Sequence, residues 1–128
     1  MPHAVLIIDD EPTLARNMKS YLERYGYLVA AAATGEEGLA QMDTFRPDLV
    51  LLDYNLPQMS GLEVLDRLRR EARQVKAIMI TGHGSAEVAA KARNAGAHDY
   101  LAKPLALSAL RLLIDKTLQS TRLEGTGL

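Results

Sequence analysis

Four apolar runs in the chain end in polar residues, and those residues form one chemical set. Ala4 to Ile8 leads into Asp9 and Asp10, and Leu49 to Leu52 leads into Asp53. Ala77 to Ile80 leads into Thr81, and Tyr100 to Ala102 leads into Lys103-Pro104. If the runs are parallel strands, three carboxylates, a hydroxyl and an ammonium emerge at one edge of a sheet. Open α/β sheets bind ligands at that edge, where the strand order reverses. Carboxylates crowded there repel: two unit charges about 5 Å apart cost roughly 3 kcal/mol at an effective dielectric near 20. A proton or a cation must relieve them. Oxygen ligands suit Mg²⁺, Lys103 adds a fixed positive charge, and the loop Asp53-Tyr54-Asn55-Leu56-Pro57 offers backbone carbonyls as further ligands. A carboxylate beside a metal and a lysine can attack phosphorus and form an acyl phosphate. The Thr81 hydroxyl can donate to a phosphoryl oxygen.

Something must hold these groups in place. Short β-like runs alternate with helical patterns five times: Ala4 to Ile8, Leu28 to Ala33, Leu49 to Leu52, Ala77 to Ile80 and Tyr100 to Ala102. Nearly continuous apolar runs fit strands covered on both faces. The alanine-rich second run rests partly on its place in the alternation. Pro12 suits the first turn of a helix reaching Tyr25, which Gly26 stops. Thr34 with Glu37 and Ser60 with Glu63 read as capping boxes, and Ser85 as the N-cap of a helix ending at Gly96. The last helix runs from about Leu105 to Gln119, and Thr121 to Leu128 reads as a tail or the start of a linker. The domain is therefore set at residues 1–120. This pattern predicts an α/β fold, a doubly wound five-stranded parallel sheet of order 2-1-3-4-5 in a flavodoxin-like (βα)5 three-layer sandwich. Asp9, Asp10 and Asp53 would flank its switch point.

Bulk composition excludes other classes. The 128 residues are 48% hydrophobic and 24% charged, as in an ordinary globular domain. A net charge of −1 gives no field that would recruit nucleic acid or a membrane surface. Without cysteine there is no disulfide or thiolate site. The N-terminus lacks a signal-peptide pattern and no apolar stretch reaches bilayer length, so a cytoplasmic protein is expected.

Taken together, Asp9-Asp10, Asp53 with Leu56-Pro57 and Gly61, Thr81-Gly82, and Lys103-Pro104 resemble the receiver domain of two-component response regulators, from about Ala4 to Gln119. The resemblance implies a phosphorylation-controlled switch rather than a metabolic enzyme, with intrinsic self-phosphorylation and self-dephosphorylation. Asp53 would accept a phosphoryl group from a sensor histidine kinase. Asp10, Asp53 and the Asn55 carbonyl would hold Mg²⁺, with Asp9 contributing directly or through water. Lys103 would pair with phosphoryl oxygens, Thr81 would move toward them, and Tyr100 would follow as the switch aromatic. Asn55 and His83 border the phosphoryl group and would tune its lifetime. The Lys103-Pro104 bond would be cis. Ile80 to Gly84 and the Asp53 loop resemble receivers of transcription activators of the nitrogen-regulation class. That would make the chain the regulatory module of a longer protein; a stand-alone or hybrid-kinase receiver is the alternative.

Other features have plainer readings. Leu107, Leu110, Ile114 and Leu118 make a core stripe on the last helix. Leu105, Ala109 and Leu112 form a second line, expected to serve as an output face toward an effector or a second copy. Arg67, Arg69, Arg70 and Arg73 read as a solvated helix face, and His3 and His98 as surface groups. A haloacid-dehalogenase-like phosphohydrolase would need a carboxylate two residues beyond Asp53, where Asn55 stands. An FMN binder would need a Ser/Thr/Gly-rich first loop, and this one is acidic.

Overall fold

The computed structural model describes residues 2–71, 74–82 and 85–126. Five strands alternate with five helices: β1 (Ala4–Ile8), α1 (Pro12–Arg24), β2 (Leu28–Ala32), α2 (Gly35–Phe45), β3 (Leu49–Asp53), α3 (Gly61–Arg70), β4 (Lys76–Thr81), α4 (Ala86–Asn94), β5 (Asp99–Ala102) and α5 (Leu107–Thr126). The strands are all parallel and ordered β2-β1-β3-β4-β5, as the alternation predicts.

Period-two alternation sorts the strand side chains into two cores. Leu6, Ile8, Val50, Leu52, Ala77 and Met79 face α2, α3 and α4, where they meet Met42, Val64, Leu65, Leu68 and Ala92. Val5, Ile7, Leu49, Leu51, Ile78 and Ile80 face α1 and α5, against Ala15, Met18, Leu22, Leu110 and Ile114. A parallel sheet buried on both faces has no polar side, so β1 and β3 are buried along their whole length. The alanine-rich β2 is one of the two edge strands, paired with β1 from Ala4–Leu28 to Ile8–Ala32.

Local chemistry sets the helix ends. Pro12 opens α1, and Gly26 follows it at φ +91, a backbone conformation that only glycine adopts without strain. The Thr34 and Ser85 hydroxyls accept from the N–H groups of Glu37 and Val88. Ser60 and Glu63 form the full reciprocal box, whereas the Glu37 carboxylate meets the Thr34 hydroxyl instead. Two expectations change. Helix α5 continues through Thr126 instead of ending near Gln119, so the tail or linker start from Thr121 is helical up to that residue. It contains no proline, and its first glycine is Gly125, so nothing before that point interrupts propagation. Leu105, placed on the output line, packs against the α1/α5 core.

Arg69 also departs from the solvated reading. Its guanidinium donates to the Val75 and Gly96 carbonyls at 3.0 Å each, joining the end of α3 to the residue before β4 and to the α4–β5 turn. A planar fork can serve two fixed carbonyls at once, which an ammonium on a flexible stem does poorly. Neighbouring Arg67 and Arg70 do lie on the surface, paired with Glu71 and Asp66, while Arg73 lies outside the described residues. Arg69→Ala is expected to lower stability by about 2 kcal/mol in urea titration, because two charge-assisted bonds to part-buried carbonyls are lost. Arg69→Lys should recover less than half of that. His98 lies at the surface as expected, and its Nδ1 accepts from the Ala77 N–H at 3.2 Å.

Candidate functional site

Because every strand runs the same way, the predicted groups collect at one edge of the sheet. Asp9 follows the last residue of β1, Asp53 and Thr81 end β3 and β4, and Lys103 follows β5. Register aligns them across the crevice: Ile8 is opposite Leu52, Asp53 opposite Ile80, and Thr81 opposite Ala102. Asp9, Asp10 and Asp53 each bring a carboxylate oxygen within 4.8 Å of the others. Asp9 and Asp53 are buried, whereas Asp10 opens to solvent.

Backbone bonds orient the carboxylates. The Glu11 N–H donates to Asp9 Oδ1 at 2.9 Å, and the Asn55 N–H donates to Asp53 Oδ1 at 3.1 Å. The other oxygens turn toward Lys103, whose Nζ lies 3.5 Å from Asp9 Oδ2 and 3.5 Å from Asp53 Oδ2. The Lys103 backbone N–H donates to the Thr81 carbonyl at 2.7 Å, and the Lys103-Pro104 bond is cis. The Tyr54 N–H donates to the Ile80 carbonyl, and the Gly61 N–H to the Tyr54 carbonyl. A Cβ on Gly61 would sit 2.4 Å from the Asp53 carbonyl oxygen, so only glycine lets α3 approach this closely.

Electrostatics follow from burial. Desolvation pushes the Asp53 carboxyl up to about 6, helped by the charge of Asp9; the Asn55 N–H and Lys103 pull the other way without prevailing. Burial also raises Asp9, against the Glu11 N–H and Lys103. For Lys103, burial works against the charge, but the Glu11 hydrogen bond and the fields of Asp53 and Asp9 outweigh it, so the ammonium is held above its ordinary range. Asp9 Oδ2 is buried and has, among the described residues, only the Lys103 ammonium, at 3.5 Å, to offset its charge. An all-oxygen set containing an acceptor so loosely partnered fits a hard divalent cation.

The remaining predicted residues are placed as follows. Thr81 is fully buried, and Asn55 is exposed beside Asp53. Tyr100 is half-buried against the α2–α4 core, with the Arg93 guanidinium 5.6 Å from its ring centre. Ala109 and Leu112 are exposed on α5, Leu112 by 60%. His83 lies outside the described residues. Glu11 was missed in the sequence, where it reads only as the residue before a helix-opening proline. Its Oε1 accepts from Lys103 Nζ at 2.5 Å across 92 positions. An acidic residue directly after Asp9-Asp10, able to reach the same crevice, was the signal available.

Comparison with known proteins agrees with this geometry. The family model described as the response regulator receiver domain matches residues 5–115. The nitrogen assimilation regulatory protein NtrX of Azorhizobium caulinodans is 37% identical over 96% of this chain and 28% of its own length. The alginate biosynthesis transcriptional regulatory protein AlgB of Pseudomonas aeruginosa is 37% identical over 93% of this chain and 26% of its own. The chain thus spans about a quarter of these relatives. Among solved structures, a CheY-like response regulator receiver domain protein from Methanospirillum hungatei superposes with a TM-score of 0.90 at 35% identity, covering 97% of this chain and 99% of that one. An acidic crevice at the carboxyl edge of a 2-1-3-4-5 sheet and a family match across most of its length place this chain among the receiver domains of two-component response regulators.

Proposed function

We propose that Asp53 is the phosphoryl acceptor of this receiver and that its acyl phosphate sets the output of a longer transcription regulator. The observation that carries this reading is the environment of Asp53: a buried carboxylate, 3.5 Å from the Lys103 ammonium and within reach of the carboxylates of Asp9 and Asp10. Held at about 6, Asp53 is mostly ionised at neutral pH and so nucleophilic. One of its carboxylate oxygens attacks the phosphorus of a histidine kinase's phosphohistidine, the P–N bond breaks, and the electron pair leaves on the imidazole. Asp10, Asp53 and the Asn55 carbonyl would hold Mg²⁺, with Asp9 directly or through water. When bound, the ion would neutralise the crowded carboxylates and draw charge from the phosphoryl oxygens.

Lys103 then pairs with a phosphoryl oxygen, and the Thr81 hydroxyl donates to another. The shift of Thr81 frees space for Tyr100 to turn inward, biasing one of two exchanging conformations. Exposed Ala109 and Leu112 on α5 belong to the face that conveys the change to an effector or a second copy. Asn55 and His83 tune how long the phosphoryl group lasts, by their closeness to it. The same residues support self-phosphorylation from small donors and self-dephosphorylation by water. No helix among the described residues is long and apolar enough to cross a membrane.

Intact-protein mass after incubation with acetyl phosphate tests the reading. One added phosphoryl group is expected in the presence of Mg²⁺, and none with EDTA or in Asp53→Asn. If neither acetyl phosphate nor beryllofluoride altered the protein, Asp53 would not be an acceptor.

A further inference from the structure

Glu11 stands outside the set of residues assigned above, yet it makes the shortest contact to Lys103. Lys103 Nζ lies 2.5 Å from Glu11 Oε1 and 3.5 Å from both Asp53 Oδ2 and Asp9 Oδ2. Glu11 has no other evident duty at this position. It is the N-cap residue of α1, but its side chain caps no backbone N–H. Its side chain is 56% exposed and its partner's only 18%, so Glu11 reaches inward from the rim of the crevice. A phosphoryl oxygen on Asp53 would therefore have to compete with the Glu11 carboxylate for the ammonium.

From this arrangement we infer that Glu11 is a positioning residue, a latch that holds the Lys103 ammonium until a phosphoryl group competes for it. The inference rests on Asp53 being the acceptor. Phosphorylation exchanges one partner of Lys103 for another: the Glu11 carboxylate gives up the ammonium and returns to water, and the phosphoryl oxygens take it. The latch thus slows the gain of the phosphoryl group and lowers affinity for phosphoryl stand-ins. An ion pair this exposed is a weak one, so its release should quicken the reaction about two- to fivefold.

Two substitutions in the 128-residue chain separate a latch from a general negative field. Glu11→Gln removes the charge and leaves at most a neutral hydrogen bond in place of the ion pair. Glu11→Asp keeps the charge but shortens the reach by one methylene, which breaks the 2.5 Å contact. The readouts are the rate of phosphorylation by acetyl phosphate at saturating Mg²⁺ and the equilibrium affinity for beryllofluoride. Both variants are expected to react about two- to fivefold faster and to bind beryllofluoride tighter by a similar factor. If Glu11→Asp behaves like the unchanged protein while Glu11→Gln is faster, charge alone acts and the latch is overturned. Unchanged or slower reaction in both variants also overturns it. If the unchanged chain takes neither ligand while Asp53 stays intact, the acceptor reading itself has failed, which no Glu11 variant could imitate.

Discussion

In metal-free protein at pH 8, Asp53→Asn is expected to raise stability by up to about 3 kcal/mol, the worth of holding a carboxyl at about 6 against an ordinary 3.8. Below pH 3.8 the group is protonated in both folded and unfolded chains and costs nothing. As pH rises, the unfolded chain releases this proton first, so the fold loses stability until Asp53 also ionises near 6. Above that the deficit is constant. Asparagine has the shape of the protonated acid and escapes the penalty throughout. Thermal melts in EDTA should show the variant about 10 °C higher at pH 8 for a domain of this size, and little difference at pH 4. An equal gain at both values would mean that packing, not charge, is responsible. Adding Mg²⁺ should narrow the gap, because binding favours the ionised fold and the variant lacks one ligand.

Gly61→Ala is expected to cost about 3 kcal/mol, at the upper end of overpacking penalties. The new methyl would lie 2.4 Å from the Asp53 carbonyl oxygen and 3.0 Å from the Tyr54 Cα, both backbone atoms that cannot swing aside. Relief requires α3 to move away from β3, which breaks the bond from the Gly61 N–H to the Tyr54 carbonyl. Since Asp53 ends β3, the movement should also displace its carboxylate and weaken Mg²⁺ affinity, measurable by titration of the folded fraction. Gly38→Ala gives the contrast. Its methyl would meet Ile8 Cδ1 at 2.3 Å and Cγ1 at 2.7 Å, side-chain atoms that can shift with their core neighbours where backbone cannot, so the cost should be smaller. Equal losses from the two substitutions would contradict the argument from rigidity.

Much of this was readable before any coordinates, for physical reasons that also explain what was not. Strands buried on both faces must be continuous apolar runs, so β1, β3 and β4 announce themselves, and parallel direction follows from the helices between them. Once direction is known, the residue after each run must lie at the carboxyl edge, which is why Asp9, Asp53, Thr81 and Lys103 could be named together. Boundaries were less secure where no cap or breaker stands, as at the end of α5. Long side chains were the harder problem. Glu11 and Arg69 each sit on a helix or at its start with a charge that looks solvated, and each reaches a group distant in sequence. Periodicity gives the direction of a Cβ but not where four more bonds will carry a charge. Arg69 was therefore read by its helix face, though its head binds carbonyls of two other segments.

The placement of the chemistry at strand ends has a consequence for how such a domain can diversify. The reactive groups are held by strand register and short turns, while the outward sides of α1 to α5 contribute little to holding them. Under the proposed function, recognition and reaction would fall on separate parts of the chain. A lineage can exchange its exposed helix residues, and with them its partners, without revisiting the carboxylates, the hydroxyl or the lysine.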